Sequence, residues 1–116
     1  MAVSKIKIDD VKTGSITCSS GVTDIDSFIK KRAGITTISV HVGLDSVLSG
    51  RTLIATFPME FAPTGVIRVL CNAGTTAGGL INRTASGFIR NNNIYVGDYV
   101  SGSDIKDVAF VITYCA

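Results

Sequence analysis

Residues 52–71 read Thr52-Leu53-Ile54-Ala55-Thr56-Phe57-Pro58-Met59-Glu60-Phe61-Ala62-Pro63-Thr64-Gly65-Val66-Ile67-Arg68-Val69-Leu70-Cys71, and this stretch decides the fold. Leu53, Ala55 and Phe57 alternate with Ile54 and Thr56, the period of a strand with a buried face. Pro58 ends that strand, because proline has no N–H to give a ladder and biases the residue before it to extended backbone. Pro63 sets a second corner, with Phe61 placed between the two to cover the edge of a core. From Gly65 the chain extends again, with Ile67, Val69 and Cys71 on one face and Val66, Arg68 and Leu70 on the other. The pattern is strand, ordered connector, strand, and the connector is expected to carry the chain from one sheet to another.

Upstream, the most regular alternation in the chain lies at residues 35–42. Thr36, Ile38, Val40 and Val42 share one face, while Thr37, Ser39 and His41 share the other. The turn Ala33-Gly34 joins it to Phe28-Ile29-Lys30-Lys31-Arg32, which predicts a hairpin with one face against the core and one against water. Residues 15–19 form a short strand before the turn-rich Ser19-Ser20-Gly21, and residues 24–26 are too polar for core. Residues 1–14 read as an N-terminal arm or short edge strand, with Ile6 and Ile8 alternating against Lys5 and Lys7. Residues 43–51 are expected to form a loop with one helical turn, since Leu44, Val47 and Leu48 have helical spacing but the segment is too short for a stable helix.

Downstream, residues 72–79 are a glycine-rich turn, Leu80 begins an extension, and Ala85-Ser86-Gly87 is expected to turn before Phe88. Asn91-Asn92-Asn93 supplies a tight turn into Ile94-Tyr95-Val96, because asparagine tolerates positive φ. Residues 97–104 read as a loop. The last strand, residues 106–115, places Val108, Phe110, Ile112 and Tyr114 on one face and Ala109, Val111, Thr113 and Cys115 on the other. A strand apolar on both faces is central in its sheet or packs against a second body. About eight short strands with glycine turns and no long helical pattern predict an all-β fold: an antiparallel β-sandwich or jelly-roll-like barrel, with residues 15–116 as a single β-sandwich domain.

Bulk composition narrows the function. A hydrophobic content of 46% excludes a disordered tail, and a charged content of 17% is low for a small soluble monomer, so another subunit is expected to cover some apolar surface. A net charge of +2 with no recognition-helix, zinc-finger or RNP pattern argues against nucleic acid. No apolar run is long enough to span a bilayer, so no membrane insertion is expected. Cys18, Cys71 and Cys115 are odd in number and widely spaced, which suggests small buried hydrophobes in place of a disulfide framework or zinc site.

Chemistry-bearing constellations are scarce. His41 is the only histidine and sits on the polar face of a regular strand without a nucleophile elbow, so it reads as a solvent-facing strand residue. Asp24, Asp26, Asp98, Asp104 and Asp107 fall in or beside loops, where carboxylates are simply solvated, and they lack the dense pattern of a calcium loop. Residues 74–79 have the glycines of a phosphate loop but neither its lysine nor a following helix. Lys30-Lys31-Arg32 reads first as a solvated strand end that blunts edge pairing. An enzyme is therefore the class the sequence favours least, and no metal or cofactor is expected. Carbohydrate recognition uses aromatic faces for the ring and amides or carboxylates for hydroxyls, and Asn91, Asn92, Asn93, Tyr95, Asp98 and Tyr99 bring such groups into one stretch. The same residues also fit a turn followed by an ordinary strand whose tyrosines pack at a subunit edge.

The order of an apolar strand, Phe57-Pro58-Met59-Glu60-Phe61-Ala62-Pro63, and an apolar strand ending near Cys71 resembles the small β-sandwich domains at the C-terminal ends of bacteriophage tail-fibre and baseplate proteins. In that family a Leu-Pro-x-Gly-Phe/Tyr-Arg-Pro segment lies between two core strands; here Glu60 replaces the Gly and Ala62 the Arg. A glycine-rich turn before Leu80-Ile81, a Ser86-Gly87 turn before Phe88-Ile89, and the closing Phe110-Val111-Ile112-Thr113-Tyr114-Cys115-Ala116 extend the likeness over residues 28–116. The resemblance implies a virion structural domain, made in a bacterial cytoplasm, that forms a homotrimer, contacts other tail or baseplate proteins and attaches to host cell-surface saccharide. A free-standing or enzyme-appended lectin-like module and a purely structural baseplate connector are the alternatives.

Overall fold

The computed structural model describes residues 11–75 and 83–115. Residues 1–10 of the expected arm, residues 76–79 of the expected glycine-rich turn and the extension at Leu80 and Ile81 lie outside the described residues, while residues 72–74 of that turn are strand. The fold is all-β and antiparallel, a curled sheet consistent with a sandwich or barrel. The ten strands among the described residues are β1 (Val11–Gly14), β2 (Thr17–Cys18), β3 (Val22–Asp24), β4 (Phe28–Arg32), β5 (Ile35–Leu44), β6 (Thr52–Thr56), β7 (Ile67–Gly74), β8 (Arg83–Arg90), β9 (Asn93–Val100) and β10 (Asp107–Cys115).

They pair in the order β1-β4-β5-β10-β7-β8-β9-β6-β2, with β3 alongside the far end of β5. Here β10 lies centrally, between β5 and β7. The β4–β5 hairpin turns on Ala33 (φ 50) and Gly34 (φ 78), two consecutive residues in the left-handed region that suits the twist of a two-residue hairpin. On β5 the alternation is as expected: Thr36, Ile38, Val40 and Val42 are buried, and Thr37, Ser39 and His41 are half-exposed. The two free borders of the curl are joined by the first strands. β2 pairs with β6 at one border, β3 pairs with β5 near the other, and the turn between them is tied down by Ser19 N–H donating to Ile54 O and Asp45 N–H donating to Gly21 O.

The proline-bracketed connector does not pass between two separate sheets. β6 and β7 belong to one sheet and are separated in it by β9 and β8, so the connector spans these two intervening strands at one end of the curl. A single 3₁₀ turn, Met59–Phe61, aims Phe61 into the core, where it is fully buried with Phe57 and Pro63. Tyr114 Oη donates to Phe61 O at 2.6 Å, and Phe57 N–H donates to Asn92 O, so both halves of the connector are held. Leu48 and Ile105 are buried on the loops at the other end, where Leu48 N–H donates to Ile105 O.

Four local expectations are corrected. Residues 85–87 do not turn. They lie inside β8, where Gly87 pairs with Val69 and Val96 beside a ladder irregularity, and a Cβ there would come within 2.9 Å of Val69 Cγ2 and 3.1 Å of Tyr95 O. The glycine marks a close approach of neighbouring strands, which a single sequence cannot distinguish from a turn. β9 likewise runs to Val100, so Asp98 and Tyr99 are strand residues beside Gly97 (φ 102). Residues 45–51 contain no helical turn; they are bends and irregular backbone, with Leu48 buried and its N–H given to Ile105 O on another loop. In β6 a bulge between Leu53 and Ala55 puts Ile54 and Ala55 both inside, which breaks the strict alternation read from the sequence.

Candidate functional site

The outer face of β7, β8, β9 and β6 carries a row of directly paired residues: Arg68 on β7 opposite Phe88 on β8, Phe88 opposite Tyr95 on β9, and Tyr95 opposite Leu53 on β6. Alternation on each strand places these side chains outward, while Ile89, Ile94 and Ile54 point into the core. The rings of Phe88 and Tyr95 stack with centroids 4.9 Å apart and planes 20° from parallel. Phe88 is only 7% exposed although it lies on the outer side, because the Arg51 guanidinium sits 4.9 Å and the Arg90 guanidinium 6.0 Å from its ring centroid. Arg51 is held in turn by Asp98, with Nε donating to Oδ1 at 2.9 Å and Nη2 to Oδ2 at 3.0 Å. That fork, with a smaller contribution from the charge of Arg68, keeps the Asp98 carboxyl below its ordinary range despite some desolvation.

Of the six residues expected to recognise saccharide, Asn93, Tyr95 and Asp98 come together around this platform. Asn93 follows the β8–β9 turn and its Nδ2 lies 3.5 Å from Tyr95 Oη. Asn91 occupies the exposed left-handed position of the turn (φ 54). Asn92 is committed to the fold, its Nδ2 donating to Phe57 O at 2.9 Å. Tyr99 is 60% exposed, with its backbone N–H donating to Ser86 Oγ. Arg51, Arg68, Phe88 and Arg90 were not among the expected residues. Their outward positions on alternating strands are readable, but their convergence depends on the pairing of four strands.

Several acid–base groups among the described residues are paired away from this platform. His41 is not simply solvated: its Nε2 lies 3.1 Å from both carboxylate oxygens of Asp107, whose side chain is fully buried in β10 and not on a loop. Ser27, the nearest hydroxyl bonded to this segment, engages only the His41 backbone. Asp104 forms a forked pair with Arg83, with Nε–Oδ1 at 3.0 Å and Nη2–Oδ2 at 3.1 Å. Within the basic strand end, Lys31 donates to Glu60 O and Lys30 lies over the Phe28 ring. The Cys71 thiol is buried and pushed up to about 12 by desolvation, whereas Cys115 is exposed. Among the described residues no group of three potential metal ligands exists, and no helix is long and apolar enough to cross a membrane. No protein-family model, no curated protein and no solved structure matches the chain.

Proposed function

We propose that this chain is a head domain of a phage or prophage tail fibre or baseplate, a homotrimeric virion part that attaches to the host surface by binding cell-wall saccharide. The observation that carries the reading is the apolar outer side of the sheet centre. Leu70 on β7 and Val111 on β10 are 71% and 67% exposed, the two most open large aliphatic side chains among the described residues. Phe28, 43% exposed, lies in the same row as Val111 through Ser39. Central strands of a monomer rarely expose such residues together, and a second subunit is the ordinary cover. The ladder between β7 and β10 also stops at Asn72 and Ala109, one step of alternation short of Leu70 and Val111. The connector on which the family resemblance rests is anchored at both halves, with Phe57, Phe61 and Pro63 buried.

The test is the solution mass by light scattering behind size exclusion, at several dilutions and under reducing conditions. A stable trimer that dissociates in Leu70→Glu/Val111→Glu supports the reading; a monomer at every dilution removes it. The second reading, a free-standing lectin-like module, is favoured by the platform around Tyr95, whose residues all come from one chain. A monomer that still binds a sugar would select it.

A further inference from the structure

The Phe88–Tyr95 platform is ringed by three arginines and one acid, Arg51, Arg68, Arg90 and Asp98. Arg51 and Asp98 neutralise each other through a two-point fork. Arg68, exposed and directly opposite Phe88, and Arg90, exposed two residues beyond Phe88 on the same side of β8, have no ion-pair partner among the described residues. The local charge left after internal pairing is therefore positive, although the chain as a whole is nearly neutral. Half-buried Tyr95 and 37%-exposed Leu53 continue the row beyond Phe88, on the next two strands, with Asn93 opposite Arg90. From this we infer that the site takes an acidic saccharide: a pyranose ring against Tyr95 and Leu53, with its carboxylate or phosphate held by Arg68 and Arg90. The inference rests on the attachment reading above and supplies its ligand class.

A neutral sugar would satisfy the ring contact but leave both guanidinium groups to water, whereas an anionic substituent engages planar donors suited to two-point binding. The Arg51–Asp98 fork has a positioning role, since it fixes one cation over Phe88 and so holds the stacked pair in place. Asn93 adds an amide next to Tyr95 Oη for a ring hydroxyl.

The test is calorimetric titration of the whole chain with hexagalacturonate, with its fully methyl-esterified and hence uncharged form, and with hexathymidylate. Hexagalacturonate is expected to bind, with the methyl ester weaker by about tenfold or more, the size of a lost charge-assisted hydrogen bond. Arg68→Gln/Arg90→Gln is expected to lose a similar factor for hexagalacturonate while keeping the wild-type unfolding midpoint. Lys30→Gln/Lys106→Gln, which removes the same charge away from the platform, should stay within about twofold. Equal binding of ester and acid, an unchanged Arg68/Arg90 variant, equal binding of hexathymidylate, or no binding of hexagalacturonate each overturns the inference. If neutral sugars bind and the arginine variant does not matter, attachment stands and only the acidic class falls. A monomeric mass would instead remove the tail-appendage reading without touching this titration.

Discussion

Replacing His41 by alanine should cost far more than removal of a half-exposed strand residue normally does. The ring places one nitrogen 3.1 Å from both oxygens of Asp107, and with the proton on that nitrogen it is the side-chain donor to a carboxylate that is 0% exposed. Removing one partner of a buried charged pair typically costs about 3–5 kcal/mol, because the remaining charge is stranded. The His41 side chain is itself 21% exposed, so water can enter the space left by truncation and recover part of that loss. The expected destabilisation is about 2–4 kcal/mol, measured by urea unfolding at neutral pH with the slope unchanged. Asp107→Asn removes the stranded charge while keeping its shape. His41→Ala should therefore cost at least about 1 kcal/mol less in the Asp107→Asn background than in the wild type. A loss under about 0.5 kcal/mol, or strictly additive effects in the double variant, would refute the claim that the histidine is there to satisfy the buried acid.

Thr36→Val should stabilise the chain by about 1 kcal/mol in the same urea experiment, since Thr36 is fully buried in the core and its Oγ1 has no hydrogen-bond partner there. Gly87→Ala should destabilise by about 1–3 kcal/mol, because the new methyl would press on Val69, on Cys71 Sγ at 3.1 Å and on the unyielding Tyr95 carbonyl. An unchanged midpoint would show that β8 and its neighbours are not packed so closely. Arg83 lowers the Asp104 carboxyl from its ordinary value of 3.8, so the pair supports the fold above that pH and the support is lost as pH falls through the depressed folded value. Asp104→Asn should accordingly be slightly less stable than the wild type at pH 7, with the gap closing below pH 3.8 in acid unfolding curves.

Much of the fold was legible because β5 buries one complete face and β10 nearly does, with Ile112 half-buried, and a period of two leaves little choice about which residues go inside. The connector was legible because two prolines forbid a continuous strand. Glycine was the main source of error. At Gly34 it turns the chain, at Gly87 it lets strands approach, and at Gly97 it accompanies an irregular ladder; the same residue type serves three geometries that only neighbouring strands separate. The β6 bulge was hidden for a related reason, as an extra residue shows itself only against its partner strand. For the site, the sequence brought Asn93, Tyr95 and Asp98 together because they are local. It could not bring in Arg68 or Arg51, which reach the platform through strand pairing and a cross-strand ion pair.

The parting of β7 from β10 also sets how the sheet breathes. β10 is laddered to β5 along its whole length, from Asp107 opposite Gly43 to Cys115 opposite Ile35, yet meets β7 only over its first three residues. Beyond Ala109 every second amide of β10 faces a gap in the ladder while its neighbours are locked to β5. One strand at the middle of the sheet thus holds two populations of amide, slow and fast to exchange with solvent, alternating residue by residue. A subunit laid over Leu70 and Val111 would merge them into one.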